Sequence, residues 1–265
     1  MRPGQSFEQR DVAEHYKYRP EYPPILFKKL ISLSPLKHSA LDLGCGTGKI
    51  ARGICDAFTS VTAMDASISM LEIAQALQDK SNSNIAWVPG RTEEMNFGVE
   101  KFDLIVAAAS IHWMDHDLLF PRLLEHVEDD HVLAVVDGDG AYKPPWEDAW
   151  SDFLSKWIFE LTGEHYESSR NDSPFAKRMR RHREWLILQG EETFEHGVSQ
   201  SVDDFVLCQY SRDTFAPSKL GKRKAEFSEE LRQVVAPYAD SANMLVYRVM
   251  TSLEWGKIND HALRN

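Results

Sequence analysis

Apolar positions in the first half of the chain fall into short dense runs, each followed by a stretch of helical spacing. Residues 39–44 (SALDLG) read as a buried strand, and GKIARGICDAF after it puts Ile50, Ile54 and Phe58 on one helical face. Residues 61–65 (VTAMD) read as a second strand. The helix SISMLEIAQALQD follows, with Met70, Leu71, Ala74 and Leu77 apolar and Ser67 in the position of an N-cap. IAWVPG (85–90), FDLIVAA (102–108) and VLAVVDG (132–138) supply three further strands. Between the last two, DLLFPRLLEHV reads as a helix with Pro121 near its first turn, where proline is tolerated. Strands alternating with helices in this way predict a parallel sheet covered on both faces.

The pattern changes after Gly140. An amphipathic helix carries Trp146, Trp150, Phe153 and Trp157, whose spacing fits either packing against the sheet or, for one or two of them, a pocket wall. A strand TFEHGVSQS, a helix VDDFVLCQYSRDTF, a helix FSEELRQVVAPYA and a closing strand MLVYRVMTSLEW follow. The pattern predicts four segments: an N-terminal helical segment 1–36, an alternating strand–helix core 37–140, an inserted, mainly helical region 141–200 and a C-terminal part 201–265 that completes the sheet.

Composition narrows the function classes. The chain has 265 residues, 43% hydrophobic, enough for a substantial core. Its apolar runs are far shorter than the roughly 18 residues that span a bilayer, and its first residues are too polar for a signal peptide. A soluble protein is expected. Three cysteines (Cys45, Cys55, Cys208) without Cys-x-x-Cys spacing suit a reducing compartment, so the cytoplasm is the expected location. A net charge of −11 disfavours nucleic acid and anionic membrane as partners. One stretch runs against it: KRMRRHR, 177–183, is either a solvated helix face or a docking patch.

The candidate chemistry sits in LDLGCGTGKI, 41–50. A glycine turn leading from a strand into a helix offers bare backbone N–H groups and the positive helix end to a ligand. Asp42-x-Gly44-x-Gly46-x-Gly48 is neither the G-x-G-x-x-G dinucleotide turn nor a phosphate-binding P-loop. The acid ahead of the glycines disfavours pyrophosphate and attracts an ammonium group, which suits a nucleoside cofactor with an amino-acid tail. Asp65 closes the second strand 21 positions after Gly44, where a carboxylate can accept both ribose hydroxyls.

LDLGCGTGKIA, VTAMDASISML, VPGRTEEM and FDLIVAAASIHWMD together resemble the successive motifs of class I S-adenosylmethionine-dependent methyltransferases. YKYRPEYP, 16–23, is similar to the N-terminal motif of their trans-aconitate methyltransferase-like, small-molecule subgroup. The resemblance implies a doubly wound, Rossmann-like α/β fold, with a seven-stranded, mostly parallel sheet and an antiparallel last strand. The cofactor it implies is S-adenosyl-L-methionine, and the product S-adenosyl-L-homocysteine. It implies that Asp42, Gly44, Cys45 and Gly46 hold the methionine end, that Asp65 binds the ribose, and that Ala66 and Met70 lie against the adenine. Arg91 and Thr92 would flank the adenine edge, Ala107 and Ala108 the methionyl chain, and Arg19 would pair with the cofactor carboxylate. Two departures stand out: Ala109 replaces a polar residue, and EDDHVLAVV replaces a glycine-containing turn expected at the surface.

A methyl acceptor needs to be held in line with the sulfonium and shielded from water. His112, after the fourth strand, is the candidate catalytic residue, as base, as orienting group or as packing. Tyr16, Tyr22, Trp113, Trp146 and Arg212 are the candidate acceptor-pocket residues. An arginine at 212 either clamps a carboxylate or pairs with neighbouring Asp213. His112 and His116 with Asp115 and Asp117 are read as helix-cap sequence, so no metal is expected. The expected activity is methyl transfer to an O or N atom of a small, planar or acidic metabolite by a monomer or homodimer. The alternatives are an RNA or protein methyltransferase docking through 177–183, and an inactive cofactor-binding partner protein.

Overall fold

The structure is a computed structural model that describes residues 4–79, 84–94, 97–167 and 174–259. Met95 of VPGRTEEM, part of the 141–200 segment and the two chain ends (1–3 and 260–265) lie outside the described residues. The strands are β1 (Ser39–Leu43), β2 (Ser60–Asp65), β3 (Ile85–Pro89), β4 (Phe102–Ala108), β5 (Val127–Asp137), β6 (Leu186–Ser201) and β7 (Met244–Ile258). The α-helices are α1 (Arg10–His15), α2 (Pro24–Leu33), α3 (Lys49–Ile54), α4 (Ile68–Ala76), α5 (His116–Leu124), α6 (Glu147–Thr162), α7 (Pro174–Met179), α8 (Val202–Gln209), α9 (Pro217–Leu220) and α10 (Lys224–Val235).

The seven strands form one sheet in the order β3-β2-β1-β4-β5-β7-β6. β1 to β5 pair in parallel and β7 runs antiparallel to β5, Leu133 opposite Gly256 through Asp137 opposite Ser252. This is the doubly wound, Rossmann-like α/β arrangement. The order reverses between β1 and β4, and such sheets bind ligands at the carboxyl ends of the strands flanking that point. β1 is buried at all five positions because helices cover both its faces. Alternate residues feed two apolar layers: Leu104, Val106, Ala134 and Val136 join Leu26, Ile50 and Ile54, while Ile105, Ala107, Leu133 and Val135 join Leu119, Phe120 and Leu123.

By contacts the chain falls into two units, each made of three stretches rather than of consecutive segments. One comprises 21–138, 177–194 and 251–265, and so contains β1 to β5 and the two apolar layers above. The other comprises 1–20, 139–176 and 195–250. Its core packs Trp146, Phe153 and Trp157 against Phe205, Phe227 and Leu231 from α8 and α10. The aromatic series on α6 is therefore mainly a packing stripe.

Several elements differ from the sequence-based expectation. The helix expected over 202–215 ends at Gln209, whose side-chain amide donates to the Phe205 carbonyl. The stretch 127–131 belongs to β5, with a register shift between the pairs Phe102–Val127 and Leu104–Val132, so it is a bulged strand end and not a surface turn. Pro121 is the sixth residue of α5, in its second turn, where it has no N–H for the ladder; Asp115 caps the helix by accepting from the Asp117 N–H. β6 begins at Leu186, seven residues before the expected strand. Among the described residues, no helix is long and apolar enough to cross a membrane.

Candidate active site

The glycine turn lies between β1 and α3, at the carboxyl end of the sheet. Gly44, Gly46 and Gly48 have φ of 65, 54 and 79°, a region that L side chains rarely adopt. At Gly44 space matters as well: a Cβ there would lie 2.6 Å from Ser110 Cβ and 3.3 Å from Met114 Cε. The turn is tied to the next strand by two bonds. The Cys45 N–H donates to the Met64 carbonyl at 2.8 Å, and the Gly46 N–H to Asp65 Oδ2 at 2.8 Å.

Asp65 uses its other oxygen to accept from the Ser67 N–H at 2.8 Å, beside the Ser67 hydroxyl that caps α4 through the Met70 N–H. The carboxylate thus bridges the glycine turn and the α4 entrance. Ala66 beside it is exposed and Met70 is buried.

Asp42 is the electrostatic outlier. It is fully buried; Oδ2 accepts from the Ala51 N–H at 3.0 Å, and Oδ1 has no hydrogen-bond partner among the described residues. Burial raises its pKa, the Ala51 hydrogen bond lowers it and nearby Asp65 raises it again, to about 7. An unsatisfied buried carboxylate oxygen is costly, and a donor reaching it would recover that cost. The same burial pushes the Cys45 thiol up, so Cys45 is a packing group and not a nucleophile.

The remaining candidates of this unit line up along the same strand ends. Ala107 is buried and Ala108 half-buried at the end of β4. Thr92 is buried after β3, and half-buried Arg91 donates to Glu93 at 2.9 Å. Glu93, itself buried, also accepts from the Asp115 N–H at 3.0 Å and so ties the loop after β3 to the loop after β4. His112 and Trp113 share a 3-10 turn after β4, half-buried, with ring centroids 4.6 Å apart. Tyr22 packs on the apolar layer around Ile50. Ser110 and Glu93 were not among the sequence-derived candidates; the serine next to Ile-His-Trp was their one available signal.

The second unit holds Tyr16, Arg19, Trp146 and Arg212. Arg19 is 8% exposed, and its donors are spent within the unit: Nη1 on Asp139 at 2.8 Å and on the Tyr16 hydroxyl at 3.3 Å, Nε on the Ser211 hydroxyl and Nη2 on the Ser211 carbonyl. Its guanidinium also sits 4.3 Å from the Tyr16 ring centroid. Arg212 lies beyond α8 and faces Asp139 Oδ1 at 3.4 Å, whereas Asp213 pairs with Lys219 at 2.8 Å. Of the two alternatives for Arg212, the pair with Asp213 is not the one the structure forms: after the turn beyond Gln209 the two side chains reach different partners.

A cavity of about 210 Å³ lies within this unit, walled by Asp139, Trp150, Phe205, Cys208, Arg212 and Tyr247 among others. Trp146 is 1% exposed, sits in the aromatic core and does not line the cavity; Trp150, one helical turn on, does. Burial pushes the Tyr247 phenol up, and its hydroxyl donates to Gln200 at 2.7 Å, which leaves it a neutral wall group.

In the basic stretch 177–183, Arg181 pairs with Asp117 at 2.7 Å, and Arg183 and His182 both reach Glu254. Burial alone would raise the Glu254 carboxyl, but hydrogen bonds from His182 and Arg183 outweigh it and hold it at about 2. These charges are engaged in holding the segment to its own unit.

Comparison with known proteins agrees with this geometry. Residues 40–130 match the family described as a methyltransferase domain. A probable S-adenosylmethionine-dependent methyltransferase of Saccharomyces cerevisiae is 26% identical over 161 residues, 56% of this chain and 55% of that protein. A trans-aconitate 2-methyltransferase of Deinococcus radiodurans is 36% identical over 98 residues, 36% of each chain. The chain thus spans about half the length of the first relative and about a third of the second. A putative type II methyltransferase from Anaeromyxobacter dehalogenans superposes with a TM-score of 0.62, covering 90% of this chain and 97% of that one at 21% identity, a likeness of fold. The matched domain, the sheet order and the acid-flanked glycine turn agree with the resemblance of residues 40–130 to class I S-adenosylmethionine-dependent methyltransferases.

Proposed function

We propose that the protein transfers a methyl group from S-adenosyl-L-methionine to an O or N atom of a small, planar or acidic metabolite. The observation that carries the reading is the unpartnered Asp42 Oδ1, buried directly ahead of a turn whose glycines leave no side chain in the way. A ligand bearing an ammonium group fits that oxygen, and a carboxylate at the end of the second strand, Asp65, is the group proposed to accept from a ribose. On this reading Asp42, Gly44, Cys45 and Gly46 hold the amino-acid end, Asp65 the ribose, Ala66, Met70, Arg91 and Thr92 the base, and Ala107 and Ala108 the chain between. Arg19, the carboxylate-pairing candidate implied by the resemblance, is engaged by Asp139 and Ser211 of its own unit.

The cofactor, when bound, supplies an electrophilic methyl group, so no covalent nucleophile is needed from the protein. What the chain contributes is orientation and exclusion of water. An acidic acceptor is already ionised at neutral pH; for a phenol or an N–H, His112 is the group proposed to hold or take the proton. A cavity of about 210 Å³ within the second unit, walled by Trp150, Phe205 and Arg212, is the candidate small-molecule site of that unit. Arg212 is the proposed carboxylate contact there, with Tyr16 as a further candidate of the same unit; Tyr22 and Trp113 are candidates at the strand ends of the other unit. Three buried cysteines, none of them in a disulfide among the described residues, support a cytoplasmic setting.

The test is incubation with methyl-labelled S-adenosylmethionine and a metabolite extract, with product masses read out. Label in a small organic acid or phenol is the expected result. Label only in RNA or protein contradicts the acceptor assignment, and cofactor binding without label in any acceptor contradicts the assignment as an enzyme.

A further inference from the structure

One side chain that the motifs do not account for ties the segment after β4 to the end of β1 at the glycine turn. Ser110, 8% exposed, follows β4 and donates its hydroxyl to the Leu43 carbonyl at 2.5 Å. That carbonyl belongs to the peptide linking β1 to Gly44, so the bond fixes how the turn leaves the strand. Ser110 Cβ also occupies the space that a side chain at 44 would fill, 2.6 Å from the position of such a Cβ. The residue before it, Ala109, has φ 52°, an uncommon conformation for a residue with a Cβ, and is held there by its N–H donating to the Val136 carbonyl of β5 at 2.8 Å. β5 holds Ala109, the left-handed turn at Ala109 aims Ser110, and Ser110 holds the exit of β1. On the other side the Cys45 and Gly46 N–H groups are anchored to Met64 and Asp65 of β2. The turn is thus clamped from β2 and, through the Ser110 hydroxyl, from the segment after β4.

We propose that Ser110 is a positioning residue for the cofactor site: its hydroxyl presets the Leu43–Gly44 peptide so that the glycine turn is already shaped for the ligand. This rests on the methyltransferase reading above. A hydroxyl that presets a ligand-binding turn and one that merely packs the sheet predict different outcomes on removal. Presetting lowers the ordering cost of binding, so its loss weakens affinity and loosens the turn locally. Simple packing affects the stability of the whole unit.

The experiment compares the full-length protein with Ser110→Ala, which keeps the Cβ against Gly44 and removes only the hydroxyl. S-adenosylhomocysteine affinity is measured by calorimetry, Tm without ligand by scanning calorimetry, and amide exchange by mass spectrometry. The proposal expects the Kd to rise about tenfold, the ligand-free Tm to stay within about 2 °C, and faster exchange confined to residues 43–48. Unchanged affinity and unchanged exchange at 43–48 overturn it. So does an affinity loss accompanied by a large fall in Tm and faster exchange throughout β1 and β4, which makes the serine a packing residue. Failure of the unmodified protein to bind S-adenosylhomocysteine sinks the parent reading instead; the exchange comparison still decides whether the hydroxyl shapes the turn.

Discussion

Asp42 carries the largest electrostatic tension in the site, and the sign of its effect is fixed by its burial. Its carboxyl is raised from 3.8 to about 7 by the fold, so between about pH 4 and 7 the folded protein holds a proton that the unfolded chain has lost. Its stabilising contribution is present at low pH and disappears as pH rises through 7. The form able to receive an ammonium group is the deprotonated one. Wild-type affinity for S-adenosylhomocysteine is therefore expected to rise from pH 6 to pH 8. Asp42→Asn should bind more weakly by about tenfold or more, with a flat pH dependence, and its Tm relative to wild type should increase between pH 5 and pH 8. Titration calorimetry and melting curves across this pH range check both halves. A wild-type affinity that is constant from pH 6 to 8 contradicts the pairing of Asp42 with the ligand.

At the scale of elements, the α4 entrance is built by two nearby residues with different roles. Asp65 anchors the backbone N–H groups of Gly46 and Ser67, while the Ser67 hydroxyl caps the helix through Met70. Ser67→Ala removes the cap alone and is expected to cost about 1 kcal/mol, roughly 2–4 °C in Tm, with S-adenosylhomocysteine affinity nearly unchanged. A loss of affinity without a loss of Tm contradicts that division. The Ser67 cap was legible in the sequence because capping is a local matter of one side chain and the next turn, and the strands β1, β2 and β4 were legible because strands buried on both faces read as short, mainly apolar runs without helical spacing. The end of α8 at Gln209 and the early start of β6 were not. No proline or glycine marks the first, and the second is a largely exposed stretch, 187–192, that lacks apolar alternation.

For the whole molecule, what the sequence concealed is pairing over long separations. The Arg19–Asp139 ion pair joins residues 120 apart, and Arg212 shares that same carboxylate instead of its neighbour Asp213. The bond from Ser110 to Leu43 spans 67 residues. No local pattern announces such partners, because they follow from which strand ends the topology brings together. The glycine turn and Asp65, by contrast, were visible as a motif, since the switch between β1 and β4 places them wherever this sheet order forms. The central claim is that this turn and this carboxylate grip one adenosyl cofactor, and its most direct test is calorimetric titration of S-adenosylhomocysteine into wild type and Asp65→Ala. The account predicts saturable one-to-one binding to wild type and an affinity lower by about a hundredfold in the variant, which loses both the ribose acceptor and the anchor of Gly46. Equal affinity in the two proteins would contradict it.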